Sequence, residues 1–155
     1  MGKISEKLRE LGLELPVAAK PVANYVPWVV TGNLAFIAGQ IPVVDGKPKF
    51  VGQVGAELSV DDGTAAAKLC AINVLAQLNE ACDGDLDRVV RIVKLVGFVN
   101  CGPNFTDIPK VMNGASNLMV DVFGDAGKHA RSSVGASSLP LGVPVEVEAV
   151  VEIKT

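Results

Sequence analysis

The sequence predicts a single α+β domain in which two helices cover one face of a six-stranded mixed β-sheet. Hydrophobic periodicity gives the order strand, strand, strand, helix, strand, helix, strand, strand after a short leading helix. Two helices are too few to cover both faces of a six-stranded sheet, so the other face is left open. No linker or internal repeat divides the 155 residues. We therefore expect one domain over residues 1–155, with residues 1–15 as an N-terminal helical extension.

The N-terminal extension has the spacing of an amphipathic helix. Ile4, Leu8 and Leu11 recur at helical intervals among charged residues, which predicts a helix over residues 3–12. Packing of its apolar side on the core or on a neighbouring chain is favoured over a membrane role.

Turn signals delimit the first strands. Residues 24–30 and 34–38 read as strands on either side of the turn at residues 31–33. Pro27 cannot donate to a ladder, so the first strand is expected at a sheet edge or with a bulge. A weaker third strand is expected near Phe50.

An N-cap residue and a first-turn proline mark where the two long helices begin. Ser59 precedes two acidic residues, as an N-cap does, and the Ala- and Leu-rich segment 64–82 continues the helix until residues 83–85. A β-rich segment over residues 89–99 follows. Apolar residues then recur at helical spacing from Ile108 to Val122, with Pro109 in the first turn.

Two strands close the chain, over residues 131–136 and 145–153. The odd positions of the last strand are all apolar, whereas its even positions mix carboxylates, Val150 and Lys154. One face of this strand is therefore expected in the core. The mixed face fits either a solvated surface or a subunit interface that contains a site.

Composition excludes several functions. The net charge of −3 lacks the basic excess of a nucleic-acid binder, and no apolar run reaches the length of a membrane span. Cys70, Cys82 and Cys101 have no CxxC spacing, so three reduced and mostly buried thiols in a cytoplasmic protein are expected. With His129 as the single histidine and no zinc, P-loop or dinucleotide motif, neither a metal nor a cofactor is expected.

The remaining polar groups can hold an anion and position a water molecule. The guanidinium of Arg131 can grip a carboxylate through two parallel hydrogen bonds, and a carboxylate such as Glu146 can orient water. Neither makes a strong nucleophile, so a substrate would have to be reactive already. The alternatives are ordinary: a surface arginine, and a solvated face for Glu146 and Glu148.

Three stretches of the sequence resemble the RidA/YjgF family of reactive-intermediate (enamine/imine) deaminases. Residues 33–42, NLAFIAGQIP, resemble its Gly-Asn-hydrophobic-Ser-Gly-Gln-Ile-Pro signature. Residues 130–140, ARSSVGASSLP, resemble its Ala-Arg-Ser-x-Val…Leu-Pro, and residues 145–149, VEVEA, resemble its Val-Glu-Ile-Glu-Ala strand. The resemblance extends over about residues 20–153.

This resemblance implies a fold and a reaction. Members fold like a small trimeric chorismate mutase and assemble as homotrimers, sheets inward, with sites in the clefts between subunits. They hydrolyse 2-aminoacrylate and related imino acids to 2-oxo acids and ammonia without a cofactor. The implied partners are a small carboxylate-bearing imino or 2-oxo acid and further copies of the chain, with no membrane and no nucleic acid.

The resemblance also implies site residues. Arg131 would bind the substrate carboxylate, and Glu146 would orient the attacking water. The backbone at Gly39 and Ser133 would hydrogen-bond the substrate, and Tyr25 would close the pocket from the neighbouring chain.

Departures from the family pattern indicate a divergent branch. Ala38 replaces the signature Ser, Ser133 stands where many members carry Cys, and Asn113 matches a family Asn with one extra residue before Arg131. Two other functions therefore stay open: a ribonuclease or translation inhibitor, as is also attributed to family members, and a non-catalytic metabolite-binding trimer.

Overall fold

The computed structural model describes residues 2–155 and has the predicted α+β class. Its helices and strands, numbered along the chain, are α1 (Lys3–Glu10), β1 (Trp28–Thr31), β2 (Leu34–Gln40), β3 (Val43–Val44), β4 (Lys47–Pro48), α2 (Val60–Ala81), β5 (Val89–Asn100), α3 (Ile108–Phe123), β6 (Ala130–Ala136) and β7 (Val145–Ile153). The predicted order of the long elements is confirmed.

The main sheet has five strands, in the order β1-β2-β7-β5-β6, so the prediction of six strands is wrong. All neighbouring pairs are antiparallel except β5 and β6, which are parallel. The β-structure expected near Phe50 is a separate hairpin of β3 and β4. Asp45 and Gly46 both have positive φ, which the type I′ turn of a two-residue hairpin requires. Phe50 itself follows the hairpin and packs against the core from a loop.

The strand predicted over residues 24–30 begins only at Trp28, directly after Pro27. A proline has no N–H to donate, so the ladder begins beyond it. The expectation that this strand lies at an edge is confirmed, because β1 is an outer strand of the sheet.

The N-terminal helix is shorter than predicted and is anchored at its start. It ends at Glu10, two residues before Gly12, whose φ of 67° is left-handed. The carboxylate of Asp87 accepts the backbone N–H groups of Lys3 at 2.7 Å and Ile4 at 2.8 Å. Leu8 is buried in the core, as the sequence predicts.

The two long helices lie side by side on one face of the sheet. Ser59 caps α2 through a capping box, in which its hydroxyl accepts the N–H of Asp62 and the Asp62 carboxylate accepts the N–H of Ser59. The helices approach closely at Gly114, where a Cβ would overlap the carbonyl oxygen of Thr64. Pro109 lies in the first turn of α3, as predicted.

Strand β7 is flanked by β2 and β5, and its two faces differ as predicted. Its odd positions, from Val145 to Ile153, are all buried against the helices. Its even positions are half-buried and form part of the opposite face of the sheet, which no element among residues 2–155 covers. We call this second surface the open face.

Candidate functional site

Arg131 lies on the edge strand β6 and turns toward α3. It pairs with Leu95 on β5, a fully buried residue of the helix-covered face. One guanidinium nitrogen, Nη1, donates to Oδ1 of Asn113 at 2.9 Å and to Oγ of Ser116 at 3.1 Å. Nη2 donates to the carbonyl oxygen of Pro109 at 3.4 Å. Three acceptors of α3 therefore hold the side chain.

The positive charge of Arg131 has no acidic partner among residues 2–155. None of the four ion pairs formed there includes it, and its three acceptors are an amide, a hydroxyl and a backbone carbonyl. A guanidinium has five N–H donors, so donors remain for an outside acceptor. An uncompensated cation with spare donors is suited to bind a small anion.

His129 and Ser116 extend the contacts of Arg131. The hydroxyl oxygen of Ser116 lies 2.9 Å from Nε2 of His129, and Nδ1 of the same ring lies 2.7 Å from the carbonyl oxygen of Gly127. The sequence reasoning assigned no site function to either side chain. Spacing offered a signal for both, because His129 precedes Arg131 by two residues and Ser116 follows Asn113 by three, as neighbours on a helix surface do.

Ser133 lies two residues further along β6 than Arg131 and faces the same way. It pairs with Gly97 on β5, and Gly97 pairs with the buried Val147 on β7. The Ser133 hydroxyl oxygen is inaccessible and has no hydrogen-bond partner among residues 2–155. An unpaired buried hydroxyl is costly, which makes Ser133 an exception among the buried polar groups of the chain.

Glu146 lies on the opposite face of the sheet from Arg131. It pairs with Phe98 on β5, three positions from Leu95, and an odd separation along a strand reverses the face. Its side chain is half-buried. Burial raises the pKa of the Glu146 carboxyl above 4.5, and the negative charge of Glu148 raises it further. Glu146 is therefore a stronger proton acceptor than an exposed glutamate.

Gly39 lies against the Glu146 carboxylate. The β2–β7 register shifts between Ile37 and Gln40, so Gly39 belongs to a bulge. A Cβ on Gly39 would overlap Oε1 of Glu146 and lie 2.9 Å from its carboxyl carbon. The backbone and the carboxylate thus share one small region of the open face.

Tyr25 is too exposed to close a pocket within one chain. It precedes β1 and is 58% exposed. A cleft of about 300 Å³ at the open face is lined by Val26 and Glu148, among others, but by none of the six predicted site residues. One chain therefore brings together Arg131 with Asn113, and Glu146 with Gly39, but does not bring these two pairs together.

Other features of the chain bear on its chemistry. The three cysteines are unpaired and buried, as expected, and burial raises the pKa of each thiol. Among residues 2–155, no three His, Cys, Asp or Glu side chains converge as metal ligands do. The same residues include no helix with the length and apolar character that crossing a bilayer requires.

The chain is similar to proteins of known sequence and structure over nearly its whole length. A family model described as "YjgF/chorismate_mutase-like, putative endoribonuclease" matches residues 5–152. Protein TCP17 of Trypanosoma cruzi is 48% identical over 153 residues, which cover 98% of this chain and 95% of the relative.

Two solved structures extend these comparisons. Atu1372 of Agrobacterium tumefaciens, a protein of unknown function, is 47% identical with a TM-score of 0.91, covering 97% of this chain and 92% of that chain. Escherichia coli TdcF, solved with bound serine, is 25% identical with a TM-score of 0.63, covering 90% and 94%.

Proposed function

Because this chain belongs to the YjgF/chorismate mutase-like family, we propose that it hydrolyses small reactive enamines and imines to 2-oxo acids and ammonia. The substrates are 2-aminoacrylate and related 2-imino acids. The reaction uses no cofactor, because a protonated imine is electrophilic enough for water to attack once both are positioned.

The observation that carries the proposal is the uncompensated guanidinium of Arg131. Its contacts on α3 are neutral, and hydrogen-bond donors remain for a second partner. A substrate carboxylate supplies the matching negative charge and two parallel acceptors. Asn113 contacts the same guanidinium, and Ser133 lies two positions further along the same side of β6. TdcF, which was solved with bound serine, supports a site for a small amino-acid-like ligand in the family.

Glu146 positions the attacking water. Its raised pKa makes the carboxylate a better proton acceptor, and its place beside Gly39 puts a backbone group within the same region. The water loses a proton toward Glu146 as its oxygen bonds to the imine carbon. The resulting carbinolamine then releases ammonia and leaves the 2-oxo acid.

The site is completed by a second copy of the chain in a homotrimer. Arg131 and Glu146 occupy opposite faces of one sheet, so an Arg131 from one subunit and a Glu146 from the next would together bind a ligand that lies between the two. The open face presents Val29, Phe36 and Val134 partly exposed to solvent, and their burial would stabilise such an assembly. In this arrangement the exposed Tyr25 closes the pocket of a neighbouring subunit.

A coupled assay tests this function. An amino-acid oxidase generates the imino acid in place, and 2-oxo-acid formation is followed with and without the protein. We expect the wild type to accelerate formation, and Arg131→Ala to lower kcat/KM by about 100-fold or more, since truncating one partner of a charged pair is expensive. Arg9→Ala on α1 is the matched control. No acceleration by the folded wild type contradicts the proposal.

A ribonuclease is the second candidate, favoured by the description of the family model. The net charge of −3 and the single histidine count against it. Purified wild type that cleaves RNA, with cleavage lost in Arg131→Ala, would establish this alternative. A non-catalytic metabolite-binding trimer would instead be stabilised thermally by 2-oxo acids while turning over no imino acid.

A further inference from the structure

We propose that Ser116 and His129 are positioning residues that hold the Arg131 guanidinium in its carboxylate-binding orientation. The inference rests on the proposed function, because it assigns Arg131 a carboxylate ligand. It goes further in naming two residues, one on α3 and one just before β6, that act on the ligand only through Arg131.

The hydrogen bonds around Ser116 have one consistent direction. Arg131 can only donate, so the Ser116 hydroxyl oxygen accepts at 3.1 Å. The single hydroxyl proton of Ser116 is then available to Nε2 of His129 at 2.9 Å, which accepts it when unprotonated. The ring proton consequently lies on Nδ1, where it is donated to the Gly127 carbonyl oxygen at 2.7 Å. Every donor in the chain of contacts meets an acceptor.

The hydrogen bond to His129 fixes the orientation of the Ser116 hydroxyl. Because His129 takes the proton, the lone pairs of the Ser116 oxygen point toward Nη1 of Arg131. Asn113 contacts the same nitrogen from a more exposed position on α3. Hydrogen bonds in series polarise one another, so the His129 contact strengthens the Ser116–Arg131 contact. Arg131 is thereby fixed before a ligand arrives, which lowers the entropic cost of binding.

The first test determines by NMR which nitrogen of the His129 ring carries the proton. The sequence contains a single histidine, so a long-range 1H–15N correlation spectrum of labelled protein shows one imidazole. We expect a protonated Nδ1 and an unprotonated Nε2 in the wild type. In Ser116→Ala, we expect the proton to stay on Nδ1, which still faces the Gly127 carbonyl oxygen, and the Nε2 resonance to shift because its hydrogen bond is lost. A wild-type ring that carries its proton on Nε2 overturns the inference, whatever the activity.

The second test separates positioning from folding by kinetics and binding. Ser116→Ala and His129→Phe are expected to raise KM for the imino acid about 10- to 100-fold with kcat little changed, because hydrogen bonds to charged groups are worth about that factor. The dissociation constant for 2-oxobutanoate, measured by calorimetry, should rise in parallel. Ser116→Thr and His129→Gln keep an acceptor and a donor and should recover most of the loss. Ser5→Ala, on α1, is the matched control.

The outcomes distinguish this inference from the proposed function. A wild type that neither turns over imino acids nor binds 2-oxobutanoate contradicts both. A wild type that does both, with Ser116→Ala and His129→Phe equally good, contradicts the inference alone. Loss of kcat without a change in KM, accompanied by a lower melting temperature, indicates a purely structural contribution and also overturns it.

Discussion

At the scale of single residues, the chemistry depends on groups held away from their ordinary surroundings. Glu146 is the clearest example, since burial and the charge of Glu148 both disfavour its ionised form. The carboxylate is more basic for that reason, and the folded state is less stable whenever it is charged. Activity and stability therefore respond in opposite directions to the same side chain.

Glu146→Gln should lower activity and raise stability. We expect kcat to fall about 100- to 1,000-fold, as removal of a general base does. A raised folded-state pKa means that the wild type is relatively most stable below pH 4.5 and loses stability as pH rises through the raised pKa. The melting temperature of the variant should exceed that of the wild type at pH 8. Melting curves at pH 4 should coincide, and a constant difference across this range would contradict the assignment.

Gly39→Ala should displace the Glu146 carboxylate without unfolding the protein. The added Cβ meets the end of a flexible side chain and not backbone, so the melting temperature should change by less than about 2 °C. We expect kcat to fall about 10-fold. Combined with Glu146→Gln, Gly39→Ala should cause no further loss, because the group it displaces is already inactive. Additive losses in the double variant would mean that Gly39 acts independently of Glu146.

At the scale of elements, the packing of α2 on α3 leaves no space at Gly114. The neighbour of a Cβ there is the Thr64 carbonyl of the facing helix, which can move only with its backbone. Two effects therefore compete when the glycine is replaced. Alanine favours the helix by about 0.8–1.0 kcal/mol, whereas overpacking a core costs about 1–3 kcal/mol.

Gly114→Ala should therefore destabilise the protein despite its better helix propensity. Because the Cβ meets backbone, the cost lies toward the upper end of its range, and we expect a net loss of up to about 2 kcal/mol, seen as a melting temperature lower by up to about 8 °C. Gly102→Ala is the control, because a Cβ there meets nothing within 4 Å and the backbone is ordinary. A more stable Gly114→Ala variant would show that the helices can separate at this point.

The long elements could be predicted from the sequence because their patterns are local. The alternation in β7 and the capping box at Ser59 each lie within ten residues. The six-strand prediction was wrong because the segment counted as a third strand forms a separate hairpin, closed at Asp45–Gly46, outside the main sheet. The site was predicted residue by residue through the family resemblance, and Arg131 does meet Asn113. The placement of Arg131 and Glu146 on opposite faces depends on how β5 pairs with β6 and with β7. The spacing of residues along the sequence does not reveal these registers.

At the scale of the whole molecule, the open face determines whether the proposed site can form. Phe36 is 43% exposed there, and it pairs with Val29 on one side and Val150 on the other. An apolar strip across a sheet is favourable only when something covers it. Assembly and activity should therefore be lost together.

Phe36→Asp should prevent assembly while the fold survives. The residue is already partly solvated, so the circular dichroism spectrum should be retained, whereas a charge buried against another subunit is expensive. Light scattering should show three chains per particle for the wild type and mostly one for the variant, with kcat/KM lower by about 100-fold. Val17→Asp is the control, since Val17 is 97% exposed in the segment that Gln77 of α2 binds through Ala19. An inactive but trimeric Phe36→Asp would separate the two properties.

The placement of Arg131 and Glu146 on opposite sides of one sheet predicts that two inactive variants can complement each other. If each site takes its arginine from one protomer and its glutamate from the next, two dead variants can rescue each other. Unfolding Arg131→Ala and Glu146→Gln chains together and refolding them as mixed rings should restore about a quarter of the sites, whereas each variant refolded alone stays silent. Such complementation requires that the two substitutions lie in different protomers of one site. If mixed particles of verified composition show no activity, Arg131 and Glu146 of the same protomer must serve the same site.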